Sequence, residues 1–422
     1  MILLSELLYN FGIRIFYLGV AISSIWNKKA KQWLAGRQEI FDKLKQAQSS
    51  DSIWVHAASL GEFEQALPLI EKLKEQLRGC KIIVTFFSPS GYEVKKDHPM
   101  VDHIFYLPLD TARNAEKFIS TINPAIAFFI KYEYWYNYLK VLHRKGIPTY
   151  VISARFYEEQ SFFKWYGGFF RKTLSFVSHF FVQDKRSSDL LKRLGFENQM
   201  LTGDTRYDKV FQNVQEVKPN EISEKFKNDK KLLLLGSSWQ PEEEILISFL
   251  KKNKIDLKVI IAPHKIDGNN VNRLIKNLQN EGIKSICFSE VKDQHLVDYQ
   301  ILIIDNIGML SSLYQYADFA FIGGAFGTGL HNILEAACFG IPIFFGPEHS
   351  NFPEAQEMID CGGAFNISNS AEFEKVFLEL LVDEDKYQAA STSSRNLVEN
   401  NRGVVNKIFN YLESESTLFK NT

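Results

Sequence analysis

The sequence predicts an α/β protein built from two doubly wound domains, each with a parallel sheet. Near-continuous apolar runs recur along the chain, as expected for strands that helices cover on both faces. The segments between these runs have helix length and helical periodicity. With 422 residues the chain is also too long for one ordinary domain. Alternation of strands and helices in both halves predicts the same architecture twice.

The predicted strands fall into two sets of six. In the first half they are 52–57, 81–88, 103–108, 125–130, 147–153 and 179–183. In the second half they are 231–237, 257–263, 285–289, 301–305, 319–324 and 341–347. The spacer after the first strand shows the helical pattern, because its apolar residues recur every three or four positions from Phe63 to Leu77.

A charged stretch that is poor in strand-forming residues, 209–230, predicts the boundary between the domains. We therefore expect an N-terminal segment at 1–30, a first Rossmann-like domain at 31–210 and a second at 228–422. The last helix of the chain is able to pack back on the first domain. Two such domains facing across a cleft would line it with the carboxyl ends of both sheets, where ligands bind in open α/β folds.

Composition narrows the function classes. The chain is 45% hydrophobic and 23% charged, which is typical of a globular protein with real cores. It has 49 basic and 50 acidic residues, so a general nucleic-acid binder is disfavoured and no nucleic-acid partner is predicted. The four cysteines form no CxxC pair, and no other metal-ligand spacing occurs. We therefore predict neither a metal site nor a cofactor.

The N-terminus is apolar and aromatic from 7 to 26, with Asn10 and Arg14 as interruptions. The first 50 residues carry seven basic and three acidic side chains. This pattern predicts a membrane-associated helix, either a short anchor or one lying in the interface. An ordinary buried helix is the alternative. The aromatic and basic stretch 156–181 allows the same two interpretations, a lipid contact or a core.

A glycine-rich run follows the apolar strand segment 319–322. It contains Gly323, Gly324 and Gly329, and it precedes a helix with Glu335 in its first turns. Glycines let a phosphate approach the backbone, and a helix N-terminus favours negative charge. The run predicts a nucleotide-phosphate cradle, in which the Glu335 carboxylate accepts hydrogen bonds from a ribose. A tight strand-to-helix turn that only needs glycine is the alternative.

The first strand ends in a compact turn that contains Ser59, Gly61 and Glu62. A carboxylate at this position faces the predicted cleft, where it is a candidate general base for a hydroxyl nucleophile. The alternative is a helix-terminal glutamate that only stabilises the helix dipole.

Three further strands of the first half end in polar residues. Ser88 and Ser90 follow the second strand, Glu133 follows the fourth and Arg155 follows the fifth. The hydroxyls are candidates for holding a sugar or phosphate, and the arginine is a candidate clamp for a carboxylate or phosphate. Plain turn chemistry and surface ion pairs are the alternatives.

Together these pieces resemble one family, the 3-deoxy-D-manno-octulosonic acid (Kdo) transferases. The resemblance runs in order through 56–62, 88–91, 133–137, 153–155, 203–208, 236–243, 262–265 and 323–347. It departs from the family pattern at Lys131, Tyr136, Asp204 and Lys265, where the family usually has glutamate, proline, asparagine and a histidine that follows an arginine. These departures indicate a divergent branch.

The resemblance implies the GT-B fold and an inverting transfer of Kdo from CMP-Kdo to the lipid A precursor in lipopolysaccharide biosynthesis. It implies action at the cytoplasmic face of the cell inner membrane. Glu62 is then the catalytic base. The implied donor-binding residues are His264, Lys265, Gly323, Gly324, Gly329, His331, Asn332 and Glu335. The implied acceptor or sugar-binding residues are Ser59, Gly61, Ser88, Ser90, Glu133 and Arg155.

Two other functions fit parts of the sequence. The glycine loop with its following glutamate is common to GT-B enzymes that use a UDP-sugar, either transferases or UDP-GlcNAc 2-epimerases. The aromatic stretch and the apolar N-terminus also fit a non-catalytic lipid-binding scaffold.

Overall fold

The computed structural model describes residues 2–47, 51–77, 79–291, 296–415 and 419. The chain divides into two compact units. Unit 1 comprises Met1–Lys209 and Gly403–Thr422, and unit 2 comprises Val210–Arg402. The last segment of the chain therefore belongs to unit 1.

Unit 1 contains a parallel sheet with the strand order β3-β2-β1-β4-β5-β6-β7. The strands are β1 (Ser52–Ala57), β2 (Ile82–Phe86), β3 (His103–Tyr106), β4 (Pro124–Ile130), β5 (Thr149–Ala154), β6 (His179–Val182) and β7 (Gln199–Leu201). The helices are α1 (Ile2–Ser23), α2 (Lys28–Arg37), α3 (Ile40–Leu44), α4 (Leu60–Gln76), α5 (Pro89–Lys95), α6 (Ala112–Ile122), α7 (Tyr136–Arg144), α8 (Gly168–Leu174), α9 (Lys185–Arg193) and α10 (Arg206–Gln215), which runs into unit 2.

Unit 2 contains a second parallel sheet, with the order β10-β11-β9-β8-β12-β13-β14. The strands are β8 (Lys231–Ser238), β9 (Leu257–Pro263), β10 (Ser285–Cys287), β11 (Ile301–Ile303), β12 (Phe319–Ile322), β13 (Ile343–Phe345) and β14 (Ala364–Asn366). The helices are α11 (Glu221–Lys227), α12 (Gln240–Lys252), α13 (Gly268–Asn280), α14 (Leu310–Leu313), α15 (Leu334–Cys338), α16 (Pro353–Asp360), α17 (Ser370–Val382) and α18 (Glu384–Asn401), and the chain returns to unit 1 with α19 (Val404–Glu415).

The two parallel-sheet α/β units confirm the predicted architecture, and each predicted strand corresponds to an observed one. The sequence did not reveal β7 and β14. Both are three-residue edge strands with partly exposed side chains, such as Met200 and Asn366. A search for long apolar runs misses such strands, because an edge strand is not buried on both faces.

Helices cover both faces of the first sheet. Alternate residues of β1 enter two separate cores, since Trp54 packs on one face and Ile53 and Val55 pack on the other. The second of these cores includes Ile408 and Leu412 of α19. The last helix therefore closes one face of the sheet in unit 1.

Helix α1 has an inverted arrangement of side chains. Its polar groups contact the rest of unit 1: Glu6 accepts hydrogen bonds from Tyr136 and Lys140, and Asn10 accepts one from Asn137. In contrast, its large apolar residues are exposed, namely Leu4, Leu7, Leu8, Phe11, Ile15, Leu18 and Ile22. A helix of a water-soluble core normally shows the opposite pattern.

Tyr9 anchors α1 most deeply. Its hydroxyl donates to Asp110 Oδ2 at 2.6 Å, and the backbone N–H groups of Asn137 and Tyr138 donate to the same carboxylate at 3.1 Å. Asp110 is buried, and burial raises the pKa of its carboxyl to about 6. Across the described residues, none of the helices combines the length and the apolar character that crossing a bilayer requires.

The aromatic stretch 156–181 is mostly core. Phe156, Phe162 and Phe180 are buried in the same core as Trp54. Trp165, Tyr166 and Phe170 are exceptions, and Trp165 has 93% of its surface exposed. The core interpretation therefore describes most of this stretch.

Candidate active site

The order of the strands places a switch point in unit 1 between β1 and β4. The chain leaves β1 toward β2 on one side, and β4 lies on the other. In doubly wound sheets the carboxyl ends at such a point form the ligand-binding crevice. Glu62 follows β1 and Glu133 follows β4, so both lie at this point.

Glu62 lies in the first turn of α4 and is partly buried. Its Oε2 atom accepts a hydrogen bond from the backbone N–H of Ala58. Burial raises the pKa of the Glu62 carboxyl to about 7, and the negative charge of Glu133 also raises it. The Ala58 N–H and the Lys131 ammonium act in the opposite direction. A carboxylate that is half ionised near neutral pH is suited to general base catalysis.

A buried network supports Glu133. Trp135 Nε1 donates to Glu133 Oε2 at 2.7 Å, and His56 Nε2 lies 3.2 Å from the same oxygen. On its other side the His56 ring contacts Thr85, with Nδ1 3.1 Å from the carbonyl oxygen. The same nitrogen lies 2.9 Å from Thr85 Oγ1, a hydroxyl that can donate or accept. The network fixes the side chain of Glu133 next to Glu62.

The remaining predicted residues of unit 1 lie at carboxyl ends of strands but not in this network. Ser88 caps α5 and contacts Ser90, with 3.0 Å between the two Oγ atoms. Ser59 precedes α4, and Gly61 is exposed in its first turn. Arg155 follows β5, where its Nε is 3.5 Å from Asp184 Oδ2. The predicted clamp therefore already has a carboxylate partner.

In unit 2 the equivalent switch point lies between β8 and β12. The glycine loop follows β12, and α15 and β13 come after it. A Cβ atom added at Gly323 would lie 2.2 Å from the carbonyl oxygen of Ser237, and one at Gly324 would lie 2.1 Å from that of Gly329. Gly324 also has a φ of +99°. The loop therefore requires glycine at both positions.

Several backbone N–H groups of this loop already have partners inside the protein. Gly324 N donates to Glu242 Oε1 at 2.7 Å, Thr328 N donates to the Gly324 carbonyl, and His331 N donates to the Gly323 carbonyl. Glu335 accepts from Ser311 at 2.6 Å and from the Asn332 amide at 3.0 Å. The loop is thus a preformed shape with only part of its donors available to a ligand.

Two imidazole rings, an indole and a lysine ammonium lie close together beside the glycine loop. The rings of His264 and His331 are 4.5 Å apart, although 67 positions separate them in the chain. The exposed ammonium group of Lys265 lies over the ring of Trp239. Burial and, to a smaller extent, proximity to His264 lower the pKa of His331 to about 4. This region is therefore able to donate hydrogen bonds to an anion, although the buried carboxylate of Glu242 already accepts the Gly324 N–H beside it.

Sequence reasoning did not assign four residues that organise the two regions. They are His56 and Trp135 in unit 1, and Trp239 and Glu242 in unit 2. The first two lacked a usable signal, because a histidine inside an apolar strand and a tryptophan beside tyrosines resemble ordinary core. Glu242 did have a sequence signal, since a glutamate three residues after a helix N-cap commonly accepts a hydrogen bond from a backbone N–H.

The sequence matches a family model in unit 1, and it is similar to named proteins over most of its length. The family described as 3-deoxy-D-manno-octulosonic-acid transferase (kdotransferase) matches residues 34–209. A 3-deoxy-D-manno-octulosonic acid transferase of Haemophilus influenzae is 26% identical over 408 residues, which cover 93% of this chain and 94% of the relative. Relatives with the same name from Chlamydophila psittaci and Aquifex aeolicus are 28% and 26% identical, over 80% and 82% of this chain and 78% and 90% of their own lengths.

Solved structures agree on the fold. A UDP-N-acetylglucosamine 2-epimerase from Listeria monocytogenes superposes with a TM-score of 0.62 and covers 89% of this chain and 98% of its own, at 14% identity. A glycosyltransferase from Rickettsia africae superposes with a TM-score of 0.56 and covers 89% of this chain and 100% of its own, also at 14% identity. At such identities the likeness concerns the fold alone. The chain is therefore similar to the Kdo transferases, since their family model matches residues 34–209 and relatives of that name span most of its length.

Proposed function

We propose that this protein is an inverting glycosyltransferase that moves Kdo from CMP-Kdo to the lipid A precursor in lipopolysaccharide biosynthesis. The observation that carries the proposal is the carboxyl group of Glu62. It lies at the switch point of the unit that the Kdo transferase family matches, and its pKa is raised to about 7. The relatives that span most of the chain bear the same activity in their names.

Glu62 is the proposed catalytic base. Its carboxylate takes the proton of an acceptor hydroxyl, whose oxygen then forms the new bond to the anomeric carbon of Kdo. The bond between that carbon and the CMP phosphate oxygen breaks, and the electron pair leaves with CMP. Glu133 supports this role through its charge, which makes Glu62 a stronger base.

We assign the donor to unit 2. The glycines at 323, 324 and 329 shape the loop for a phosphate, and His264, Lys265 and His331 supply donors and positive charge for the phosphate and the Kdo carboxylate. Glu335 is the proposed ribose contact, with Asn332 as its neighbour. Its carboxylate accepts from Ser311 and Asn332.

We assign the acceptor to unit 1. Ser59, Gly61, Ser88 and Ser90 lie on the turns that follow β1 and β2, and Glu133 lies after β4. These hydroxyl, backbone and carboxylate groups suit the hydroxyls of a sugar. Arg155 belongs to this set in a weaker sense, because reaching an acceptor phosphate would require it to exchange Asp184 for the ligand.

The exposed apolar face of α1 supports attachment to the cytoplasmic face of the cell inner membrane. Leu8 and Phe11 are each about three-fifths exposed, while Glu6 and Asn10 on the same helix contact unit 1. A helix with this arrangement lies in the interface, with its apolar residues among the acyl chains. Such attachment brings the enzyme to a lipid acceptor.

The alternatives fit less well. A UDP-sugar enzyme is not favoured, because the epimerase likeness concerns only the fold, whereas relatives at 26–28% identity carry the Kdo transferase name. A purely lipid-binding scaffold does not account for a raised carboxyl pKa at the switch point.

The direct test uses purified protein with CMP-Kdo and the tetraacyl disaccharide precursor of lipid A. We expect release of CMP and a product heavier by one or more Kdo residues in mass spectrometry. A thermal shift assay with CMP and UDP checks the donor separately. Stabilisation by UDP alone, with no product from CMP-Kdo, would contradict the proposal.

A further inference from the structure

Trp239 links the two segments that we assign to the donor. It lies between β8 and α12, at the N-cap of the helix. Its ring stacks on the His264 ring, with centroids 4.6 Å apart and planes 22° apart. Its Nε1 atom lies 3.4 Å from Nε2 of His331, to which it donates. One indole therefore contacts both histidines of this region.

The contact with His331 has a chemical consequence. An indole N–H only donates, so Nε2 of His331 must be the unprotonated, accepting nitrogen. The proton of the neutral imidazole is then on Nδ1. In a neutral histidine, the hydrogen bond that one ring nitrogen makes determines whether the other nitrogen carries the proton.

The surroundings keep His331 neutral. Burial lowers the pKa of His331 to about 4, and the nearby His264 also lowers it. Two charged groups near it are Lys265, whose ammonium lies over the Trp239 ring, and Glu242, which accepts from the N–H of Gly324 next to the imidazole. Protonation of Nε2 would place two N–H groups against each other, which adds to the same effect.

We infer that Trp239 is a positioning residue that holds His331 as the neutral tautomer protonated on Nδ1, so that this N–H donates to a phosphate oxygen of the nucleotide. The identity of that nucleotide as CMP rests on the proposed function; the tautomer does not. Without the indole N–H, either ring nitrogen is free to carry the proton, and only one of the two tautomers presents Nδ1–H.

The tautomer is measurable without any ligand. In protein labelled with ¹⁵N-histidine, we expect His331 to show a protonated Nδ1 and an unprotonated Nε2 at pH 7, with the signal assigned by its loss in His331→Gln. A proton on Nε2 in the unaltered protein would overturn the inference, whatever the activity proves to be.

The matched variant is Trp239→Phe, which keeps an aromatic ring beside His264 and removes the N–H together with the rest of the pyrrole ring. We expect a mixture of tautomers, a higher pKa for His331 and CMP binding weaker by about three- to tenfold, as for one lost hydrogen bond. Trp165→Phe, at an exposed site in unit 1, is the control and should change neither spectrum nor affinity.

Three outcomes separate the claims. An unchanged His331 spectrum in Trp239→Phe would contradict the positioning role. An altered spectrum with unchanged CMP affinity would contradict the phosphate contact. The expected tautomer in a protein that binds UDP and not CMP would support the Trp239–His331 pairing and contradict the proposed donor.

Discussion

In unit 1 the switch point of the sheet is occupied by carboxylates, whereas in unit 2 the equivalent point is occupied by glycines and histidines. Glu62 and Glu133 lie after β1 and β4, and burial together with mutual repulsion raises the pKa of Glu62. The loop after β12 has close backbone turns, and the nearby His331 has a lowered pKa.

The comparison teaches that the sheet supplies a place and the loops supply the chemistry. Both units have parallel strands whose carboxyl ends meet at a reversal of strand order. One place is equipped to accept a proton near neutral pH. The other is equipped to hold an anion with neutral and basic donors. The predictions below test whether this division of labour is real.

The largest expected effect is that of Glu62→Gln. The amide cannot accept the proton, so kcat should fall by about 100- to 10,000-fold, the usual contribution of a general base. CMP affinity should stay unchanged, since we assign the donor to unit 2. Initial-rate kinetics and calorimetry measure the two quantities. Glu75→Gln, at an exposed position on the same helix, is the control. Full activity in Glu62→Gln would contradict the assignment of Glu62 as the catalytic base.

The exposed apolar face of α1 belongs to unit 1, so membrane binding is expected to depend on unit 1 and not on unit 2. Leu8→Glu combined with Phe11→Glu should lower binding to anionic phospholipid vesicles by about 100-fold, since burying each side chain contributes about 1.5–3 kcal/mol. Co-sedimentation measures the bound fraction. Ile307→Glu, at an equally apolar and exposed site in unit 2, should leave binding unchanged. Equal losses in both variants would contradict a specific membrane face on α1.

Gly324→Ala tests the backbone argument in unit 2. The added Cβ would lie 2.1 Å from the Gly329 carbonyl oxygen, and the positive φ adds strain. We expect CMP affinity to fall by about 10- to 100-fold, in keeping with strain of about 1–3 kcal/mol.

Gly327→Ala is the matched control for this variant. Its φ is also positive, but nothing lies within 4 Å of the added Cβ. It should therefore weaken CMP binding less. If both variants bind CMP as the unaltered protein does, the loop is only a turn.

The smallest expected effect is on the pH profile. Glu62 must be ionised to act, so kcat/KM should fall as the pH decreases through about 7. Glu133→Gln removes a negative charge that raises the pKa of Glu62. The acid limb should therefore move to lower pH, by about half a unit to one unit. A limb that stays in place would show that Glu133 does not set the basicity of Glu62.

The sequence was sufficient to predict the sheets but not the partners within each site. The long runs that became β1 and β9 are buried on both faces, and such burial leaves a near-continuous apolar run in the sequence. The pairing of His56 with Glu133 spans 77 positions, and that of Trp239 with His331 spans 92. Such contacts depend on how strands are ordered across a sheet, which local patterns do not encode.

The same limit applies to the glycine loop. The glycines predicted a close backbone approach, and the crowding at Gly323 and Gly324 fits that expectation. The sequence did not reveal that Glu242 already accepts the Gly324 N–H, because this contact joins residues after β8 and β12. How many donors remain for a ligand follows from tertiary packing alone.

The inverted helix α1 has a practical consequence for handling the enzyme. Removing it to obtain a detached protein would take away the Tyr9 hydroxyl from the buried Asp110 and Glu6 from Tyr136 and Lys140. Tyr136 and Lys140 belong to α7, which follows β4 and Glu133, and Asp110 accepts from the Asn137 and Tyr138 N–H groups of the same helix. A loss of activity in a shortened chain would therefore have two causes, the loss of membrane contact and the disturbance near the candidate site. Replacing outward residues such as Leu8 separates the two effects, because it leaves the inward hydrogen bonds in place.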